Sequence, residues 1–123
     1  MDSVRLQHVV VVHPSVTLMQ RFALWLERRF ALDATLVSTL DALPDALPDG
    51  PGGLVLIDHT LLDDQSALAE RVLTACAEVP VLVFDDHCDP MHDKFWRRRN
   101  TNGCVSAETM EARLLEFMED DTV

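Results

Sequence analysis

Asp58 is the residue best placed by its neighbours to do chemistry. It closes the apolar run GLVLI and is followed by His59 and Thr60. A carboxylate at the end of a buried segment can act as a nucleophile, hold a cation, or stand as a leftover group that is hydrogen-bonded or partly protonated. Three other polar clusters stand in comparable positions. His13-Pro14 follows HVVVV, Asp85-Asp86-His87 follows VPVLVF, and Ser106-Ala107-Glu108 follows GCV. The stretch from Asp85 to Asp93 adds Cys88, Asp89 and His92. Its His87, Cys88 and His92 could ligate a transition metal, although their spacing matches no standard site, so no metal is expected. The plainer reading is a solvated acidic loop ending in Asp89, which caps a helix opened by Pro90. Imidazole titrates near neutrality, so His13 could move protons, but no Ser or Cys nucleophile pairs with it by sequence argument. Phe95-Trp96-Arg97-Arg98-Arg99 reads either as a contact surface or as one core aromatic beside a solvated cationic helix end.

Positioning these clusters requires alternating strands and helices. HVVVV (8–12), ATLVST (34–39), LVLI (54–57), VPVLVF (79–84) and GCVS (103–106) read as strands. Between them, Leu18, Phe22, Trp25 and Leu26 recur at helical spacing and are expected inward, with Thr17 and Gln20 as a capping box. Residues 40–53 form a short helix or loop, because Pro44 and Pro48 interrupt a longer one. LPDALPDG (43–50) is a local duplication, and Gly50, Gly52 and Gly53 are turn residues. Leu68, Val72, Leu73 and Cys76 mark a helix over 66–77, and Pro90 to Arg99 is another. The last helix, 109–118, turns Leu114, Leu115 and Met118 inward, and its acidic end (116–121) opposes the helix dipole and should fray. Strands this uniformly apolar are covered on both faces. The expected fold is three-layer α/β/α, with a five-stranded parallel sheet in the flavodoxin-like order 2-1-3-4-5, as a single domain over 1–123. Ligands of such sheets bind beyond the carboxyl ends of the strands, where Asp58, His13 and Asp85 stand.

Composition narrows the function classes. The chain has 123 residues, 21 acidic against 10 basic, and a net charge of −11. Its N-terminal 31 residues hold Arg5, Arg21, Arg28 and Arg29 against Asp2 and Glu27, and the rest is strongly acidic. Such a surface repels phosphate backbones, so no direct nucleic-acid binding is expected. No apolar run spans a bilayer, and the start lacks the layout of a secretory signal, so the expectation is a cytoplasmic protein without membrane contact. The three cysteines, Cys76, Cys88 and Cys104, are odd in number and contain no CxxC, which argues against a disulfide framework. No glycine-rich phosphate loop follows the first strand.

GLVLIDHTLLDD (53–64), VPVLVFDDH (79–87) and NGCVSAETMEARLL (102–115) together resemble, in order and spacing, the receiver domain of two-component response regulators. The resemblance spans nearly the whole chain and puts Asp58 at the phosphoacceptor position. It also implies an acidic pair that holds Mg²⁺ after the first strand, a hydroxyl on the fourth and a lysine on the fifth. Phosphoryl transfer to a carboxylate needs that divalent cation and lysine to offset the charge. Here His13 and Pro14 stand for the acidic pair, Asp85 for the hydroxyl and Ala107 for the lysine. Lys94, the only lysine, falls too early. The resemblance is therefore to a degenerate, or pseudo-, receiver.

Leu56-Ile57-Asp58, Phe95-Trp96 and Asn102-Gly103-Cys104-Val105 resemble most the atypical LuxR/FixJ-class regulators of the CsgD and VpsT type, which control biofilm genes. That branch dimerises, sometimes under cyclic di-GMP. No W/Y-x-T/S-R string is present, so cyclic di-GMP is not expected. The leading expectation is a non-enzymatic regulatory module that acts by protein contact, as a homodimer, in bacterial transcriptional control. The first alternative is a working receiver phosphorylated at Asp58 by a histidine kinase, with an unorthodox Mg²⁺ site drawing on Asp58, Asp85 and Asp86. The second is a small metal- or ligand-binding module built on the 85–93 loop.

Overall fold

A computed structural model describes residues 6–47, 52–63 and 66–118. Its sheet has five strands, all parallel, in the order 2-1-3-4-5. In chain order the elements are β1 (His8–Val12), α1 (Val16–Phe30), β2 (Asp33–Val37), a 3₁₀ turn (Leu40–Ala42) leading into α2 (Leu43–Ala46), β3 (Gly53–Asp58), α3 (His59–Asp63), α4 (Ser66–Ala75), β4 (Val81–Phe84), α5 (Pro90–Arg97), β5 (Cys104–Val105) and α6 (Met110–Met118). Residues 48–50 of the LPDALPDG duplication and 119–121 of the acidic tail lie outside the described residues, Gly50 among them.

Strand alternation splits the core in two. Val9 and Val11 of β1, with Leu54 and Leu56 of β3, face α1 and α6 and pack against Met19, Leu26, Phe30, Met110 and Leu114. Val10, Val12, Val55 and Ile57 face the other way, against Leu43, Val72, Leu73, Cys76 and Trp96. Both faces are dry, which is why these strands read as unbroken apolar runs. Each fully buried Val or Leu contributes roughly 1.5–3 kcal/mol over its exposed state.

Helix boundaries and faces differ from expectation in four places. Ser15, not Thr17, caps α1, its Oγ accepting from the Leu18 N–H at 3.3 Å. With that start, Met19, Leu26 and Phe30 are buried, Phe22 and Trp25 are half-buried, and Leu18 is 53% exposed. The apolar arc of α1 is wider than the helix face that meets the sheet, so one edge is left outside. In α6, Met110 and Leu114 are the buried pair, while Leu115 is exposed. The fourth difference is α3, a single short turn after Asp58 that no periodicity announces.

Gly52 (φ 93°) makes the turn into β3, where its carbonyl accepts from the Gln7 N–H at 2.8 Å. Gly103 (φ 100°) precedes β5, and a Cβ there would sit 2.1 Å from Asp93 Oδ1. No helix among the described residues is long and apolar enough to cross a membrane.

Candidate functional site

Register fixes what meets at the carboxyl end of the sheet. Val12 pairs with Ile57 and Asp58 with Phe84, so His13 and Asp58 follow as the next step above Val11 and Leu56. Alternation turns both toward the α1–α6 side. Asp58 is 8% exposed, and His13 Nε2 stands 3.8 Å from its Oδ1. The Ser15 N–H donates to His13 Nδ1 at 2.9 Å, which leaves Nε2 to carry the ring proton on the side of Asp58. Asp58 Oδ2 accepts from the Thr60 N–H at 3.3 Å and also from the Thr60 hydroxyl. Among the described residues, His13 is the one basic side chain within 4 Å of this carboxylate.

Beneath the pair lies a cavity of about 200 Å³. Val11, Leu56 and Phe84 line it from the sheet, Met19 and Phe22 from α1, and Met110 from α6. Leu18 stands at its rim, and His13 and Asp58 supply its polar groups. Pro14 is exposed in the β1–α1 turn.

Among the described residues, none of the remaining candidates makes a hydrogen bond or ion pair with Asp58. Asp85 is 5% exposed, and its Oδ1 accepts from the His87 N–H at 2.9 Å. Its carbonyl accepts from the Cys88 N–H at 3.0 Å, so the side chain shapes the turn that leaves β4. Asp86 and His87 are exposed, and Ala107 is exposed in the turn between β5 and α6. Lys94 is exposed on α5.

The 85–93 loop is organised differently from the expected His-Cys-His set. Asp89 caps α5, accepting from the His92 N–H at 2.8 Å, and pairs with His92 Nδ1 at 2.9 Å. Those two hydrogen bonds, backbone first, hold the Asp89 carboxyl below its ordinary value. The His87, Cys88 and His92 side chains form no common ligand group; the one such group among the described residues is Cys88, Asp93 and Cys104.

Cys88 and Cys104 are joined as a disulfide, with Cα atoms 5.9 Å apart. This corrects the expectation, drawn from an odd number of cysteines without a CxxC, that there is no disulfide framework. The chain leaves β4, runs along α5 and returns to β5 beside its own starting point, and a spacing of 16 residues does not reveal that return. Cys76 is the free thiol, and burial pushes it up to about 11.

Asp93, not singled out from sequence, anchors the same corner. Its Oδ1 accepts from the Cys104 N–H at 3.1 Å and its Oδ2 pairs with Arg97 Nε at 2.6 Å. The i, i+4 spacing of Asp93 and Arg97 was the available signal. In the aromatic-arginine run, Trp96 is 2% exposed and Phe95 is 45% exposed. Arg99 lies 4.5 Å from the Phe95 ring centroid, and Arg98 is exposed. Thr60 was also missed from sequence, although an Asp two residues before a Thr at a strand-to-helix junction is a local hydrogen-bonding signal.

Comparison with solved structures gives the fold a family likeness. The receiver domain of the Saccharomyces cerevisiae response regulator Ssk1, solved with the histidine phosphotransfer protein Ypd1, is similar at TM-score 0.72 and 11% identity, over 95% of this chain and 92% of that one. A two-component response regulator from Clostridium difficile is similar at TM-score 0.69 and 11% identity, over 93% and 99% of the two chains. The chain has the fold of receiver domains. No protein-family model and no curated protein matches its sequence. The likeness to these signalling proteins therefore rests on the receiver fold, a five-stranded parallel sheet in the flavodoxin-like order.

Proposed function

We propose that this chain is a pseudo-receiver: a non-enzymatic signalling module with the receiver fold that works through protein contact and not through phosphoryl transfer to Asp58. The observation that carries the reading is the setting of Asp58, which closes an apolar cavity and has His13, with no lysine or arginine among the described residues, within 4 Å. A transferring phosphoryl group brings negative charge that must be offset by a cation and an ammonium. No lysine or arginine stands within 4 Å of Asp58 among the described residues. The donors present fit magnesium poorly, because the turn after β1 offers His13 and the exposed Pro14 where carboxylates would be needed, and His13 Nδ1 is taken up by the Ser15 N–H. An octahedral, oxygen-seeking ion needs carboxylates free to turn toward it.

Protein contact is the property this reading keeps. The Ssk1 receiver was solved with a protein partner, and this chain's α5 and the turn after it present exposed Met91, Phe95 and Arg99. In this reading the chain self-associates through that surface and serves bacterial transcriptional control, as in LuxR-class regulators of the CsgD and VpsT type.

Beryllofluoride and acetyl phosphate, each with Mg²⁺, test the proposal. Intact mass after acetyl phosphate should show no phosphoryl adduct, and amide shifts around Asp58 should not move with beryllofluoride. Stoichiometric labelling that vanishes in Asp58→Asn would make the chain a working receiver instead.

A further inference from the structure

We infer that the cavity beneath Asp58 binds a small apolar amine: a benzene-sized hydrocarbon carrying one ammonium group. The inference rests on the reading that Asp58 is not a phosphoacceptor, and it names what the same pocket takes in place of a phosphoryl group. Three observations converge on this class.

Size comes first. An apolar cavity of roughly 150 Å³ stays dry and takes a benzene-sized guest. This one, at about 200 Å³ and open at the strand ends, has room within its walls for a ring and a short chain. Position comes second. The cavity opens at the carboxyl ends of β1 and β3, where open α/β sheets bind their ligands.

Charge comes third and decides the class. Eight of the ten lining residues are apolar, and the two polar ones are His13 and Asp58. Thr60 donates two hydrogen bonds to the 8% exposed Asp58 carboxylate, both to Oδ2, and no arginine or lysine among the described residues pairs with it. His13 Nε2 stands 3.8 Å from Oδ1, beyond hydrogen-bond distance, which leaves Oδ1 room for a charged donor. An ammonium would donate to the Asp58 carboxylate while its hydrocarbon part lay against Val11, Leu56 and Phe22. The net charge of −11 draws cations to the surface and repels carboxylates and phosphates.

The experiment compares three probes of one size: phenethylamine, phenethyl alcohol and 3-phenylpropionate. Binding is read from the amide shifts of Val11, Leu56 and Met110. Trp25 fluorescence gives a second signal, because its ring lies 5.5 Å from that of Phe22. The amine should bind saturably and at least about tenfold tighter than the carboxylate, since hydrogen bonds to charged groups are the strong ones. Asp58→Asn should bring the amine down to the level of the alcohol while the alcohol still binds. Leu18→Trp, at the half-exposed rim, should block all three probes without touching the core.

Equal binding of amine and carboxylate to the unaltered protein overturns the inference, as does no binding of any probe, or amine binding unaffected by Asp58→Asn. A beryllofluoride complex at Asp58 that excludes the amine would overturn the pseudo-receiver reading as well. No beryllofluoride complex together with no amine binding overturns this inference alone.

Discussion

Asp93 shows how a single side chain can hold a corner of the fold. Its carboxylate takes the Cys104 N–H and the Arg97 guanidinium, and it fills the space that a Cβ on residue 103 would need. Partial burial pushes its carboxyl upward, but the Arg97 hydrogen bond, the Cys104 amide and the Arg97 and Arg113 charges outweigh that and hold it below the ordinary 3.8. A carboxyl lowered in the folded state contributes stability that is present above its unfolded value and lost as pH falls through the folded one. Asp93 should therefore steepen unfolding below about pH 4. Asp93→Asn should flatten the stability–pH curve in that window, measured by urea unfolding at stepped pH, and an unchanged slope would show that Asp93 gains nothing from its partners. None of this was legible in the sequence beyond an i, i+4 charge pair. The Asp58–His13 approach was legible in part: both fell at strand ends, but the cavity between them depends on how far α1 and α6 stand from the sheet.

At the scale of elements, α5 was the most readable helix and the corner around it the least. Asp89-Pro90 announced its start, and Asp89 does cap it. What the sequence concealed is that the segment on either side of α5 closes on itself through Cys88 and Cys104. Closing a loop of about 15 residues removes roughly 3 kcal/mol of unfolded-chain entropy at 25 °C. Under oxidising conditions Cys88→Ala should lower stability by about that amount, and under reducing conditions the two proteins should unfold together. Cys76 serves as the internal control. Buried, with its thiol pushed up to about 11, it should resist alkylation in the folded protein whether or not the other two are reduced. Intact mass after iodoacetamide, with and without reductant, should show no label on the oxidised folded chain. Helix α1 was readable as an element and misread in its facing. Its apolar arc includes Leu18, Met19, Phe22, Trp25 and Leu26, and a periodic pattern does not say which edge of a wide arc meets the sheet.

For the whole molecule, the order of apolar runs was enough to give the parallel sheet, because β1, β3 and β4 are buried on both faces, with β2 a partly covered edge, and each crossover must be right-handed. Assembly is a matter of surface chemistry, and there the charge distribution sets opposing demands. A net charge of −11 makes two copies repel, yet Arg97, Arg98 and Arg99 cluster at the end of α5 beside exposed Phe95 and Met91. Only Arg97 has a carboxylate partner on its own chain among the described residues. Aromatic and arginine side chains are what protein interfaces favour, so self-pairing through α5 would set the unpaired arginines against the acidic surface of a second copy. Sedimentation should then give twice the 13.8 kDa of one chain at micromolar concentration. Phe95→Glu should return the mass to that of one chain, because it places a further negative charge where the apolar contact has to form. Added salt should weaken the pairing, since rim charges are screened over about 10 Å at 0.1 M. A single-chain mass at all concentrations, unchanged by Phe95→Glu, would turn the same surface over to a different protein, one whose acidic groups meet Arg98 and Arg99.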